Sequence, residues 1–126
     1  MKILVVEDQA IESKLAVHVL QADGHDVTGV DVAEAALAAI KDDRPSIILM
    51  DLRLPGMDGL TLVRKLKSDP ATHDIHIVAV TSHPEKFSRA EAIAAGCDAY
   101  LEKPLSTGTL STTLTDVVDN MERTDP

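Results

Sequence analysis

The chain predicts an α/β fold, a single parallel sheet with helices on both faces. Three observations carry that expectation. Short apolar runs alternate with helical patterns five times. The central runs Ile3–Val6, Ile47–Met50 and Ile77–Val80 are apolar at every or nearly every position, as in strands buried on both faces. Glycine and proline punctuate the boundaries.

The first strand is expected over 2–6 and stops at Glu7-Asp8. A helix over 10–22 follows and ends before Gly24. The second strand spans about 26–30, and the second helix about 33–42, with Ala33, Leu37 and Ile40 on one face. Pro45 precedes the third strand, 46–51. Leu52 to Gly59 reads as a loop with Pro55-Gly56 inside it. The third helix, 59–68, ends ahead of Pro70. The fourth strand is expected over 75–80, and the fourth helix over 85–95, starting near Pro84 and stopping at Gly96. The last strand spans 98–102. The last helix, 107–122, places Leu110, Leu114, Val117, Val118 and Met121 on one face. Such βα repeats use right-handed crossovers. One domain is expected over 1–122, with a short polar tail over 123–126 that could also begin a linker in a longer protein.

Composition narrows the function. A net charge of −9 argues against direct nucleic-acid or anionic-membrane binding, which need basic surface. The single cysteine, Cys97, allows no internal disulfide and fits a reducing cytoplasm. No apolar stretch approaches the ~20 residues of a membrane span, and the run after Lys2 is too short for a signal peptide. The aromatics are Phe87 and Tyr100 alone.

The strands end in Glu7-Asp8, Asp51, Thr81 and, just past the last one, Lys103. In a parallel sheet these ends lie along one edge, where α/β proteins bind ligands. Carboxylates crowded together raise one another's pKa unless a cation intervenes, and Mg²⁺ accepts one or two carboxylates with waters and phosphate oxygens. An acidic dipeptide alone is a solvated pair, Thr81 alone a strand-end threonine, and Lys103 alone a surface charge; their coincidence at matching ends is what counts. Asp51 is the candidate nucleophile, since an aspartate can take a phosphoryl group as an acyl phosphate. Read as a helix cap it fits poorly, because Pro55 and Gly56 delay the next helix. Lys103 can place charge on phosphoryl oxygens and Thr81 can donate a hydroxyl. A cis Lys103-Pro104 bond would aim the lysine inward.

These pieces, Ile3-Leu4-Val5-Val6-Glu7-Asp8, Leu49-Met50-Asp51-Leu52 with Leu54-Pro55-Gly56-Met57-Asp58-Gly59, Val80-Thr81-Ser82, and Ala95-Gly96-Cys97-Asp98-Ala99-Tyr100-Leu101 before Lys103-Pro104, make the chain resemble the receiver domain of bacterial two-component response regulators over nearly its whole length. The resemblance implies a flavodoxin-like five-stranded sheet in the order 2-1-3-4-5, an order the receiver fold is known for. It implies Asp51 as phosphoacceptor, supplied by a sensor histidine kinase or a phosphotransfer protein. Glu7, Asp8 and Asp51 with the Arg53 carbonyl would hold Mg²⁺, or Mn²⁺. Thr81 and Lys103 would be the switch pair, and Tyr100 the aromatic that turns inward on activation. The output surface would be the face of the fourth helix, fifth strand and fifth helix, acting on a downstream protein in a monomer or a phosphorylation-dependent dimer.

The chain departs from the family's usual pattern at Ser82, where alanine is commoner, and has the large cation Arg53 two residues past the acceptor. Arg53 and His83 are expected to flank the phosphoryl group and hinder the attacking water. The resulting expectation is a stand-alone signalling module, no enzyme beyond its own phosphorylation and dephosphorylation. The alternatives are a degenerate receiver that docks partners without phosphorylation, and an aspartate-nucleophile phosphatase. Against the second, Arg53 stands where such enzymes carry a general-acid aspartate. His18, His25, His73 and His76 have no ligand-like partners and read as surface or packing residues.

Overall fold

The computed structural model describes residues 1–123, with side chains through Asn120. The tail expected over 123–126 therefore lies, from Thr124 onward, outside the described residues, as does the side chain of Met121. Five strands, β1 (Lys2–Val6), β2 (Asp26–Val30), β3 (Ile47–Asp51), β4 (His76–Thr81) and β5 (Ala99–Glu102), alternate with α1 (Ala10–Ala22), α2 (Ala33–Asp42), α3 (Gly59–Ser68), α4 (Arg89–Ala95) and α5 (Leu110–Arg123). All strand pairings are parallel, in the flavodoxin-like order β2-β1-β3-β4-β5.

Successive strand residues point to opposite faces, so each apolar run feeds two cores. Leu4, Val6, Ile48, Met50, Ile77 and Ala79 pack toward α2, α3 and α4. Ile3, Val5, Ile47, Leu49, Val78 and Val80 pack toward α1 and α5. That double burial explains why these strands carry almost no polar residue until their last position.

Two helices begin later than the sequence suggests. Pro84 opens a turn closed by the amides of Lys86 and Phe87 on the His83 carbonyl, and α4 starts only at Arg89. Ser88 stops the turn in extended backbone and caps α4 reciprocally with Glu91, so Phe87 is delivered into the core instead of onto a helix surface. Likewise a turn in which the Thr109 amide donates to Ser106 precedes α5, which starts at Leu110 instead of 107. Gly96 ends α4 at φ 118°, a left-handed value few other residues adopt. No helix among the described residues is long and apolar enough to cross a membrane.

Candidate functional site

The parallel register brings the strand ends into line. Val6 lies beside Met50, Asp51 beside Val80, and Thr81 beside Glu102. Glu7 is carried one residue past β1, its amide still donating to the Val30 carbonyl, and Lys103 one residue past β5, its amide donating to Thr81. The Lys103–Pro104 peptide is cis. The loop after Asp51 turns back tightly, and the Gly59 amide donates to the Leu52 carbonyl. A Cβ at Gly59 would stand 2.5 Å from the Asp51 carbonyl oxygen, so only glycine allows this closure.

Glu7, Asp8 and Asp51 each bring a carboxylate oxygen within 4.8 Å of the others. Glu7 and Asp51 are buried, and Asp8 is exposed at the rim. Such a set of hard oxygen donors, open to solvent on one side, suits Mg²⁺ or Mn²⁺. The Arg53 amide donates to Oδ1 of Asp51 at 2.9 Å, which places the Arg53 backbone beside the same carboxylate. The Gln9 amide donates to Oε2 of Glu7 at 3.1 Å.

Lys103 supplies the counter-charge. Its Nζ donates to Oε1 of Glu7 at 2.6 Å, Oε2 of Glu12 at 2.6 Å and Oδ2 of Asp51 at 2.9 Å. Burial opposes the charge on Lys103, but these three carboxylates outweigh it and raise its pKa. Burial pushes Glu7 up to about 8, its contact with Asp51 adds to the rise, and Lys103 offsets part of it. Glu12 was not among the residues the sequence singled out. The only available signal was an acid in the first turn of α1, beside the strand-end edge.

Thr81 is fully buried, and its Oγ1 accepts the amide of His83 at 2.9 Å. The side chains of Arg53 and His83 do meet at this edge, Nη1 to Nε2, 2.8 Å apart. Tyr100 lies away from the carboxylates, buried on the α4 side; its hydroxyl donates to the Phe87 carbonyl and Arg89 covers its ring at 5.2 Å. The Arg89 guanidinium also donates to the Tyr100 carbonyl. An apolar cleft of about 130 Å³ between α1 and the Lys103–Leu110 segment leads to Asp51, walled by Leu15, Pro104 and Leu105.

Of the four histidines read as surface or packing residues, His18 is exposed on α1 and the other three have ordinary partners. His25 bridges the Met1 amine and Ser111, His73 contacts the Pro70 carbonyl, and His76 lies 3.5 Å from Asp98.

Comparison with known proteins agrees with this geometry. Residues 3–115 match the family described as the response regulator receiver domain. The chain is 38% identical over 104 residues to the response regulator PleD of Caulobacter vibrioides, covering 82% of this chain and 23% of that protein. It is 33% identical to the polar-differentiation response regulator DivK of Brucella anthropi, covering 82% of this chain and 85% of that one. The chain thus spans about a quarter of the length of PleD and most of that of DivK. A CheY-like response regulator receiver domain protein from Methanospirillum hungatei superposes with a TM-score of 0.88 at 25% identity, over 97% of this chain and 96% of the other.

Proposed function

The chain belongs to the response regulator receiver domain family, and on that premise we propose that it is a signalling module that accepts a phosphoryl group on Asp51. The observation that carries this reading is Asp51 itself: a buried carboxylate at the end of β3, within reach of two further acids and with an ammonium 2.9 Å from one oxygen.

The donor is the phosphohistidine of a sensor kinase or a phosphotransfer protein. An Asp51 oxygen attacks phosphorus, the P–N bond breaks, and its electron pair leaves with the imidazole, which takes up a proton. Mg²⁺ or Mn²⁺ held by Glu7, Asp8, Asp51 and the Arg53 carbonyl would neutralise charge on the phosphoryl oxygens. Lys103 then turns a proton toward one of those oxygens, and the Thr81 hydroxyl donates to another.

The reading extends to a switch. Tyr100, expected to turn inward on activation, is already buried here with its hydroxyl on the Phe87 carbonyl. Movement of Thr81 toward the phosphoryl group would therefore fix a ring that is already inside, and the face formed by α4, β5 and α5 changes shape for a downstream protein or a second copy. Going from 1% to 99% active requires ~5.5 kcal/mol of preference for the active state. Several charge-assisted bonds supply energy of that order. Residues 1–122 act as one receiver unit, and the single cysteine and acidic surface suit a cytoplasmic setting.

Acetyl phosphate with Mg²⁺ tests the assignment. Asp51→Asn is expected to abolish acid-labile labelling, and label retained on that variant would remove Asp51 from its role.

A further inference from the structure

We propose that Glu12 is a positioning residue that receives the Lys103 ammonium when a divalent cation takes Glu7 and Asp51, and so keeps the lysine beside the phosphoryl site. The inference rests on the reading of Glu7 and Asp51 as cation ligands.

An ammonium has three N–H donors, and Lys103 directs them at three carboxylates. Two of those carboxylates, Glu7 and Asp51, belong to the cluster that can hold a metal ion; Glu12 does not. Glu12 stands in the first turn of α1, its side chain half exposed, at the rim of the cleft leading to Asp51. Lys103 is therefore both a tenant of the cation site and the group that must act next to it. A divalent ion entering the cluster competes with Nζ for Glu7 and Asp51, and repels it at short range.

The lysine backbone cannot follow its head group away. The Lys103 amide is tied to the Thr81 carbonyl at 2.9 Å. Its stem can only swing, and among its three partners Glu12 alone lies outside the cluster. With Glu12 in place, a cation trades one ammonium contact for another. Without it, the ammonium stays on Glu7 and Asp51 and competes with the cation for both.

The test is a double-mutant cycle read by Mg²⁺ affinity of the unphosphorylated protein, followed by amide chemical shifts. Glu12→Gln is expected to weaken Mg²⁺ binding on the order of three- to tenfold. In a Lys103→Met background the same change is expected to have little effect, because no ammonium remains to be placed. An equal loss in both backgrounds would mean that Glu12 is only a nearby negative charge, and would overturn the proposal. So would an unchanged affinity in Glu12→Gln.

A second readout needs no change at Lys103. The ¹⁵Nζ resonance of its ammonium should stay protected from solvent exchange in Mg²⁺-saturated wild type and broaden in Glu12→Gln; equal protection in both overturns the proposal. If wild type shows no Mg²⁺ shifts, the reading of the cation site fails and this inference with it. Wild-type binding that is indifferent to Glu12→Gln sinks the inference alone.

Discussion

Nη1 of Arg53 lies 2.8 Å from Nε2 of His83, so two loops that follow different strands are joined across the edge that carries Asp51. The guanidinium is the donor, which makes Nε2 the accepting nitrogen and leaves Nδ1 facing Glu85 at 3.4 Å. Two bulky side chains held together in this way are expected to restrict the approach of water to a group on Asp51.

Arg53→Ala is expected to shorten the lifetime of the acyl phosphate several-fold. Loss of ³²P label after removal of the donor measures it. An unchanged hydrolysis rate in this variant would end the shielding idea.

Gly59→Ala should damage the acceptor loop. The added Cβ would also stand 2.6 Å from the Leu52 Cα, and backbone atoms cannot swing aside as a side-chain tip can. A loss of about 1–3 kcal/mol in urea unfolding is expected, as for other overpacked sites, with slower labelling of Asp51. Stability within about 0.5 kcal/mol of wild type would mean that the loop relaxes freely.

Glu7 makes the metal-free protein less stable as pH rises. Burial holds its pKa at about 8 against an ordinary value of 4.5, so the folded chain keeps a proton that the unfolded chain releases. This contribution is fully present below 4.5 and is lost as pH climbs through about 8. Urea midpoints in EDTA should decline across that window, and Glu7→Gln should flatten the decline. Because a cation needs the ionised carboxylate, Mg²⁺ affinity should rise over the same range. A wild-type midpoint as steep or as flat as that of Glu7→Gln would refute the assignment.

Cys97 should be inert in the folded protein. Burial, with a contribution from Asp98 that Lys67 partly offsets, pushes its thiol up to about 12. Thiol reagents near pH ~8 should label it only as fast as the protein opens, since the thiolate is the reactive form. Rapid labelling of the native chain would contradict this.

Much of the architecture was legible because apolar runs and their punctuation agree. Strand spans from Lys2 to Glu102 fall within about a residue of expectation, and Gly24, Pro45, Pro70 and Gly96 mark real boundaries. The start of α4 falls later than Pro84 suggests, because Pro84, although a good first-turn residue, is outcompeted by the capping box Ser88-Arg89-Ala90-Glu91. The strand-end residues could be named from spacing alone once the strands were parallel. Glu12 could not, since its partner lies 91 residues along the chain and nothing local distinguishes it from any other acid in a helix's first turn. The contact between Arg53 and His83 was hidden for the same reason; each was visible, but their pairing depends on two loops meeting.

Lys103 reaches Glu7 across 96 residues of chain. During synthesis the ribosome must therefore finish almost the whole domain before the ammonium and the carboxylates can meet. A nascent or truncated chain can display Asp51 while lacking the lysine beside it. The full set of opposed charges at this edge therefore forms only once β5 has joined the sheet beside β4.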